Sequence, residues 1–225
     1  MKKDESYISE ETDCIINGIS SMVYEFNKSS HGEIEGSIVD ERLPGGVSSG
    51  YFGAVLASVK NVAEKNKGDW TVIPVEMFVD MFYPSGNRTR MFQNQPPVHV
   101  NKQKSGSMTV SSQPHQRKIT LNLKHEVPCG GNKSVPIYFR LCERFSFIYK
   151  RIWRYDFKRV NSGVTKSKAM ETPCVFEIEL ELIEKQNVHG MPDGTTAEYL
   201  FQRLVDLLGR YDIHGKKIET QFHLS

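Results

Sequence analysis

The stretch Val175-Phe176-Glu177-Ile178-Glu179-Leu180-Glu181-Leu182-Ile183 alternates apolar and acidic residues with a period of two. That is the pattern of a β-strand with one apolar and one charged face. Glu177, Glu179 and Glu181 share the charged face, with neighbouring carboxylates roughly 7 Å apart at the usual strand rise. Three like charges in a row repel one another, so the face meets either water or cations, and the cations are a metal or a set of Lys and Arg.

Before this stretch, residues 161 to 172 read as a polar loop, and Trp153-Arg154-Tyr155-Asp156-Phe157-Lys158 repeats the scheme with Arg154, Asp156 and Lys158 opposite three aromatics. In Tyr138 to Phe147, Arg140, Cys142, Arg144 and Ser146 oppose Phe139, Leu141, Phe145 and Phe147. A Pro128 to Pro136 loop separates that strand from Arg117 to Glu126, where Thr120, Asn122, Lys124 and Glu126 face away from Ile119, Leu121 and Leu123. Upstream, Val98, Val100, Lys102 and Lys104 form a strand, and Ser105-Gly106-Ser107 leads into Met108-Thr109-Val110. Trp70 to Phe82 and Arg88 to Phe92 read as a hairpin turned at Pro84-Ser85-Gly86-Asn87, with Glu76, Phe78, Asp80 and Phe82 on one face. The earliest strand, Glu33-Ile34-Glu35-Gly36-Ser37-Ile38-Val39, carries Glu33 and Glu35 on one face, a shorter echo of the triple-Glu stretch.

Helices flank these strands. Helix-start chemistry at Ser9-Glu10-Glu11-Thr12 precedes Ile15, Ile16, Ile19, Met22, Val23 and Phe26 at helical spacing. Residues 40 to 50 form a loop around Pro44-Gly45-Gly46, and Ser48 or Ser49 caps a second amphipathic helix that runs to Lys65. A last helix follows Pro192-Asp193-Gly194, with Thr195 or Thr196 as N-cap and Gly209 as its C′ residue. About eight short strands joined by turns predict a β-rich α+β fold, an antiparallel sheet or barrel, in one domain over residues 1–225. Residues 1–7 and 212–225 are expected to be flexible ends.

Composition narrows the function. Net charge is +2 from 29 basic and 27 acidic residues, so the chain is no polycation, and any phosphate recognition must come from local clusters. Cys14, Cys129, Cys142 and Cys174 form no CxxC pair, which argues against structural zinc and suits reduced thiols in the cytosol or nucleus. His31, His99, His125 and His214 have no paired ligand spacing. There is no apolar run of about 18 residues and no N-terminal apolar leader, so neither membrane contact nor ordinary secretion is expected.

Any single Glu or Arg on such a face also fits the solvated side of an open sheet. Here, however, acids concentrate on two strands far apart in sequence and bases on the strands between them. A closed barrel of about eight strands leaves an interior that side chains can line around a small ligand. Carboxylates enclosed there without cations would protonate or oppose folding. Five Glu on two strands therefore imply a divalent cation, and hard-oxygen ligation selects Mg²⁺ or Mn²⁺. The interleaved Arg and Lys imply a polyanionic substrate such as a polyphosphate.

Glu33-Ile34-Glu35, Arg144-Phe145-Ser146, Arg154-Tyr155-Asp156 and Phe176-Glu177-Ile178-Glu179-Leu180-Glu181, in this order over residues 31 to 184, resemble the motif set of the metal-dependent RNA 5′-triphosphatases. These are the mRNA-capping enzymes of fungi, protozoa and some large DNA viruses, in the triphosphate tunnel metalloenzyme superfamily. The resemblance implies an eight-stranded antiparallel barrel around a tunnel and removal of the γ-phosphate from 5′-triphosphate RNA, with NTP hydrolysis possible with manganese. It implies Glu33, Glu35 and Glu181 as metal ligands, and Glu179, Asp156 and Glu177 as carboxylates around metal-bound water. Glu126, before Val127-Pro128, would orient or deprotonate the attacking water. Arg90, Arg144 and Arg154 would bind phosphate, joined by Lys104, Lys118, Lys158 and Arg117. A fused or recruited guanylyltransferase is the implied partner, and the nucleus, or the cytoplasm for a viral chain, the implied compartment.

Two positions depart from that pattern. Cys142 stands where many members have a base two residues before the RxS arginine, leaving Arg140 or Lys124 to supply the contact. Ser37 stands where an ExExK motif has its lysine, which weakens the likeness to the CYTH branch of adenylyl cyclases and thiamine triphosphatases. Two other readings remain: a tunnel enzyme acting on inorganic tripolyphosphate, thiamine triphosphate or ATP, and a non-catalytic β-domain whose charged face binds RNA backbone.

Overall fold

The structure, a computed structural model, describes residues 5–43, 45–113, 116–131, 134–183, 190–209 and 221–224. The alternating segments form strands β1 (Gly32–Asp40), β2 (Trp70–Phe82), β3 (Asn87–Phe92), β4 (Val98–Gln113), β5 (Arg117–Pro128), β6 (Tyr138–Tyr149), β7 (Trp153–Gly163), β8 (Val175–Leu182) and β9 (Gln221–Leu224). The helices among the described residues are α1 (Glu5–Lys28), α2 (Ser49–Lys65), α3 (Lys166–Glu171) and α4 (Asp193–Leu208). The strands follow the order β3-β2-β6-β7-β8-β1-β5-β4, and β3 pairs again with β4, closing an eight-stranded antiparallel barrel. Closure rests on four residue pairs between β3 and β4. Side chains reinforce this short seam: Thr89 Oγ1 lies 2.8 Å from His99 Nδ1, and Asn101 Nδ2 donates to Asn87 Oδ1 at 2.7 Å.

Several boundaries differ from the sequence expectations. Glu5 to Tyr7 already belong to α1, while residues 1–4 lie outside the described residues. Residues 161–172 are not simply a loop, because β7 runs to Gly163 and α3 follows, its Thr165 hydroxyl accepting from the Lys168 amide. The last helix begins at Asp193 after Pro192, so Thr195 and Thr196 lie inside its first turns and Thr196 is buried rather than capping. Part of the expected C-terminal tail is ordered: β9 pairs with the far end of β4, and residues 212–220 and 225 lie outside the described residues. Ser48 caps α2 as expected.

Two bulges set which side chains enter the barrel. In β2 the register shifts between Ile73 and Glu76, where Pro74 has no N–H to give a ladder. The extra residue resets the alternation so that Glu76, Phe78 and Asp80 face inward. In β4 the shift falls between Lys104 and Gly106. It turns Lys102 and Lys104 into the barrel while Val110 beyond it enters the outer core, fully buried against Ile119.

The main apolar core lies outside this barrel, while a small cluster of Phe78, Cys142 and Val160, with Phe92 against it, lies within it. Ile34, Ile38, Ile119, Leu121, Ile178 and Leu180 point outward and are covered by Ile15, Ile19 and Val23 of α1 and by Leu200 and Leu204 of α4. Gly36, between Glu35 and Ser37, allows α4 to sit directly on β1: a Cβ there would lie 2.7 Å from both Leu204 methyls. Gly36→Ala is therefore expected to lower the urea-unfolding free energy by about 1–3 kcal/mol through overpacking, read at unchanged m-value; an unaltered midpoint would contradict this packing.

Candidate active site in the tunnel

All eight barrel strands send polar side chains into a cavity of about 370 Å³. Nine basic and seven acidic side chains line it, together with Phe78, Phe82 and Cys142. The strand registers bring acids from distant parts of the chain together, since Glu35 lies opposite Glu181 on β8, and Glu179 opposite Asp156 on β7.

Glu33, Glu35 and Glu126 converge on one cation. The Lys102 ammonium lies 2.7 Å from Glu33, 3.2 Å from Glu126 and 3.8 Å from Glu35. Lys124 adds a 2.8 Å contact to the other Glu35 oxygen. Burial opposes ionisation of Glu126, but the positive charges of Arg88 and Lys102 outweigh it and hold the carboxyl below its usual range. Glu33 moves the other way, because burial outweighs Lys102. Glu181 has no hydrogen-bond or ion-pair partner among the described residues. Burial, followed by repulsion from Glu33 and Asp156, pushes it up to about 8.

Among the described residues, no three His, Cys, Asp or Glu side chains form a ready-made metal cage, because lysines take up the carboxylates of Glu33 and Glu35. The donor set nevertheless fits a hard divalent cation. It is all carboxylate oxygen, it already gathers around one positive charge at Lys102, and it includes in Glu181 a buried acid that lacks one.

Two of the arginines, Arg90 and Arg144, are held from β2. Asp80 accepts from Arg90 Nε and Nη2, both at 2.8 Å. Burial disfavours the Asp80 charge, yet the Arg90 hydrogen bonds outweigh it and hold its carboxyl below the normal range. Glu76 accepts from Arg144 Nε and Nη2 at 3.0 and 2.6 Å. The Phe78 ring lies between the two forks, its centroid 4.1 Å from Arg90 Cζ and 5.0 Å from Arg144 Cζ. Arg154 Nε donates to Asp156 at 2.9 Å, and Ser146 donates to the same carboxylate oxygen at 2.6 Å. Arg88 reaches Glu126 at 3.0 Å, while its buried Nε has no partner among the described residues. Three guanidiniums are thus fixed in place with N–H groups to spare for an anion.

Toward the other end, Lys158 pairs with Glu179 and Arg140 with Glu177, the latter at 2.6 Å. Burial penalises the Glu179 charge, but the neighbouring Lys158 ammonium outweighs it and holds the carboxyl at about 2. Glu177 does not reach the cluster around Glu33. It lines a second cavity of about 260 Å³ with Ser37 and Thr120, and Arg140 and Lys124 border both cavities. Burial pushes the Cys142 thiol up to about 11, so it is uncharged at neutral pH. Arg140 lines the same cavity as Cys142.

Of the expected site residues, Glu33, Glu35, Arg90, Lys104, Glu126, Arg144, Arg154, Asp156, Lys158, Glu179 and Glu181 line the main cavity. Lys118, although on the same strand face as Lys124, does not line it. Arg117 faces outward, its guanidinium 3.7 Å over the Tyr51 ring. Sequence reasoning missed Glu76, Asp80, Arg88, Lys102 and Phe78 as site residues. Arg88 and Lys102 share strand parity with Arg90 and Lys104, so completing those inward faces would have found them, whereas Glu76, Phe78 and Asp80 lie on β2, where no residue was singled out.

No family model matches the sequence, and no curated protein sequence matches it. Solved structures do resemble it. The RNA triphosphatase Pct1 of S. pombe superimposes with a TM-score of 0.71 at 14% identity, over 88% of this chain and 93% of that one. The same enzyme in complex with the Spt5 CTD gives a TM-score of 0.69 at 13% identity, over 89% and 94%. The RNA triphosphatase domain of a trifunctional mimivirus mRNA capping enzyme gives 0.60 at 18% identity, over 86% and 95%. The chain therefore has the tunnel-barrel fold found in the RNA triphosphatases of S. pombe and mimivirus.

Proposed function

We propose that the protein is a divalent-metal-dependent RNA 5′-triphosphatase that removes the γ-phosphate of 5′-triphosphate RNA and leaves a 5′-diphosphate end. The observation that carries this reading is the pairing, within one cavity inside the barrel, of a carboxylate group gathered on a cation with three arginines locked by acidic partners. A polyphosphate bridged to a metal satisfies both halves. Glu33, Glu35 and Glu181 would hold Mg²⁺ or Mn²⁺, which supplies positive charge to a phosphate oxygen when bound.

The chain's own residues do the rest. Arg90, Arg144 and Arg154 grip the phosphoryl oxygens and stabilise the charge that spreads over them in a loose transition state. Their forks need no reorganisation, because Asp80, Glu76 and Asp156 fix them beforehand. Glu126 accepts a hydrogen bond from the attacking water. Held ionised, it is a weak base, so it orients the water more than it deprotonates it. Water adds to the γ-phosphorus, the bond to the bridging oxygen breaks, and inorganic phosphate and the diphosphate end leave. That end is the substrate for guanylyl transfer, which makes a guanylyltransferase, fused or recruited, the natural partner.

The tunnel lining is mostly charged and selects for a triphosphate, which favours NTPs and inorganic tripolyphosphate as further substrates. The charged groups line the inside of a closed barrel instead of an outer surface, so a non-catalytic surface for RNA backbone fits poorly.

Release of labelled γ-phosphate from triphosphate RNA should require Mn²⁺ or Mg²⁺ and stop with EDTA; metal-independent release would refute the reading. Glu33→Ala, Glu35→Ala and Glu181→Ala are each expected to lower kcat by about 10²-fold or more while the chain stays folded. Arg144→Lys, which loses the planar fork, should cost about 10²-fold, whereas Arg117→Ala should leave turnover near wild type. Saturating Mn²⁺ should also stabilise the wild-type fold, by about 2.7 kcal/mol at a hundred times the dissociation constant, and should not stabilise Glu35→Ala; equal thermal shifts in both would contradict the ligand assignment.

A further inference from the structure

The β6–β7 hairpin forms the rim of the tunnel at the metal-ligand end. Arg154 is the second residue of β7 and pairs with Glu181, and just beyond them the Ile183 amide donates to the Ile152 carbonyl at 3.0 Å. The turn itself is Tyr149-Lys150-Arg151-Ile152. Lys150 and Arg151 both have positive φ, 51° and 59°, as the two central residues of a type I′ hairpin require. Asn-Gly usually fills these places, and here two exposed cationic residues do.

Behind this rim, between the hairpin and α4, lies a cavity of about 220 Å³ that the tunnel chemistry does not use. Tyr149, Trp153, Thr196, Tyr199 and Arg203 help to line it. Arg203 Cζ lies 4.6 Å and Lys150 Nζ 5.3 Å from the centre of the Tyr149 ring. Tyr199, which lines the same cavity, is 45% exposed. An exposed aromatic among cations, next to a small cavity, is the arrangement that stacks a nucleobase and neutralises its phosphate.

We propose that this rim cavity binds the RNA nucleotides that follow the 5′-triphosphate, with Tyr199 stacking a base and Lys150 and Arg203 meeting the backbone. The inference rests on the RNA-triphosphatase reading. With its triphosphate in the tunnel, an RNA chain must leave through one mouth. The near rim carries Lys150, Arg151 and Arg203, which attract phosphodiesters. The cavity is smaller than the roughly 300–1,000 Å³ of pockets for whole drug-sized ligands, and it suits a single base.

The test compares Tyr199→Ala and the double variant Lys150→Glu/Arg151→Glu with wild type, in the full chain with Mn²⁺. The substrates are a 5′-triphosphate RNA about ten nucleotides long and inorganic tripolyphosphate. For Tyr199→Ala, kcat/KM on RNA should fall about tenfold while tripolyphosphate hydrolysis stays unchanged, and Tyr199→Trp should retain RNA activity. The double variant should weaken RNA binding and flatten its salt dependence. Variants equal to wild type on RNA would overturn the proposal, as they would if the rim served a protein partner instead. Equal losses on both substrates would also overturn it, by showing a structural role. A wild type that hydrolyses tripolyphosphate but not RNA would instead overturn the RNA reading, and this inference with it.

Discussion

The interior of the barrel must keep carboxylates charged away from bulk water, and the rest of the molecule is arranged around that requirement. Desolvation alone would neutralise such groups or oppose folding. Nearly every acid in the tunnel is therefore matched: Glu179 with Lys158, Asp80 with Arg90, Glu76 with Arg144, Asp156 with Arg154, and Glu33 with Lys102. Glu181 is the exception and is driven toward protonation. Matching the acids also fixes the bases, so the network that stabilises the fold holds a preorganised anion site. The bases outnumber the acids in the lining, which leaves the cavity poised for a polyanion.

Filling the barrel with charge moves the main apolar core outside it. The outward faces of β1, β5 and β8 pack beneath α1 and α4, and the aromatic faces of β6, β7 and β8 meet α2 through Phe52, Phe157 and Phe176. Each of these strands thus has a helix-covered face and a cavity-lining face, separated by one residue of parity. Gly36 shows how close the two functions lie: the residue that admits Leu204 stands between Glu35 and Ser37. A shift of the helix layer would move the strand that carries Glu33 and Glu35.

Much of this architecture was legible because strand alternation is a local property. The triple-Glu strand, its echo at Glu33 and Glu35, and the Arg-bearing strands between them follow from period two, and together they predicted a barrel with an acidic and basic lining. The misses have identifiable causes. The resemblance implies Arg117 as a phosphate contact, but on β5 it faces away from the cavity and lies over Tyr51 of α2. Asp80 and Glu76 were visible on one face of β2, yet nothing in a single strand says that they will grip Arg90 and Arg144. Ser105-Gly106-Ser107, which in the sequence only leads into Met108-Thr109-Val110, holds a bulge within one continuous strand.

By itself the sequence determined which residues share a strand face, which faces are charged, and that the charges of opposite sign fall on different strands. These follow from a two-residue repeat that needs no partner. The tertiary structure alone decided the pairings: Lys102 among three carboxylates, Arg140 with Glu177 away from the cluster, Glu181 left without a cation, and a rim cavity assembled from the β6–β7 hairpin and α4. Such contacts depend on register, on the bulges at Pro74 and Gly106, and on closure through the short β3–β4 seam. Those features are long-range, and each is set by residues far apart in the chain.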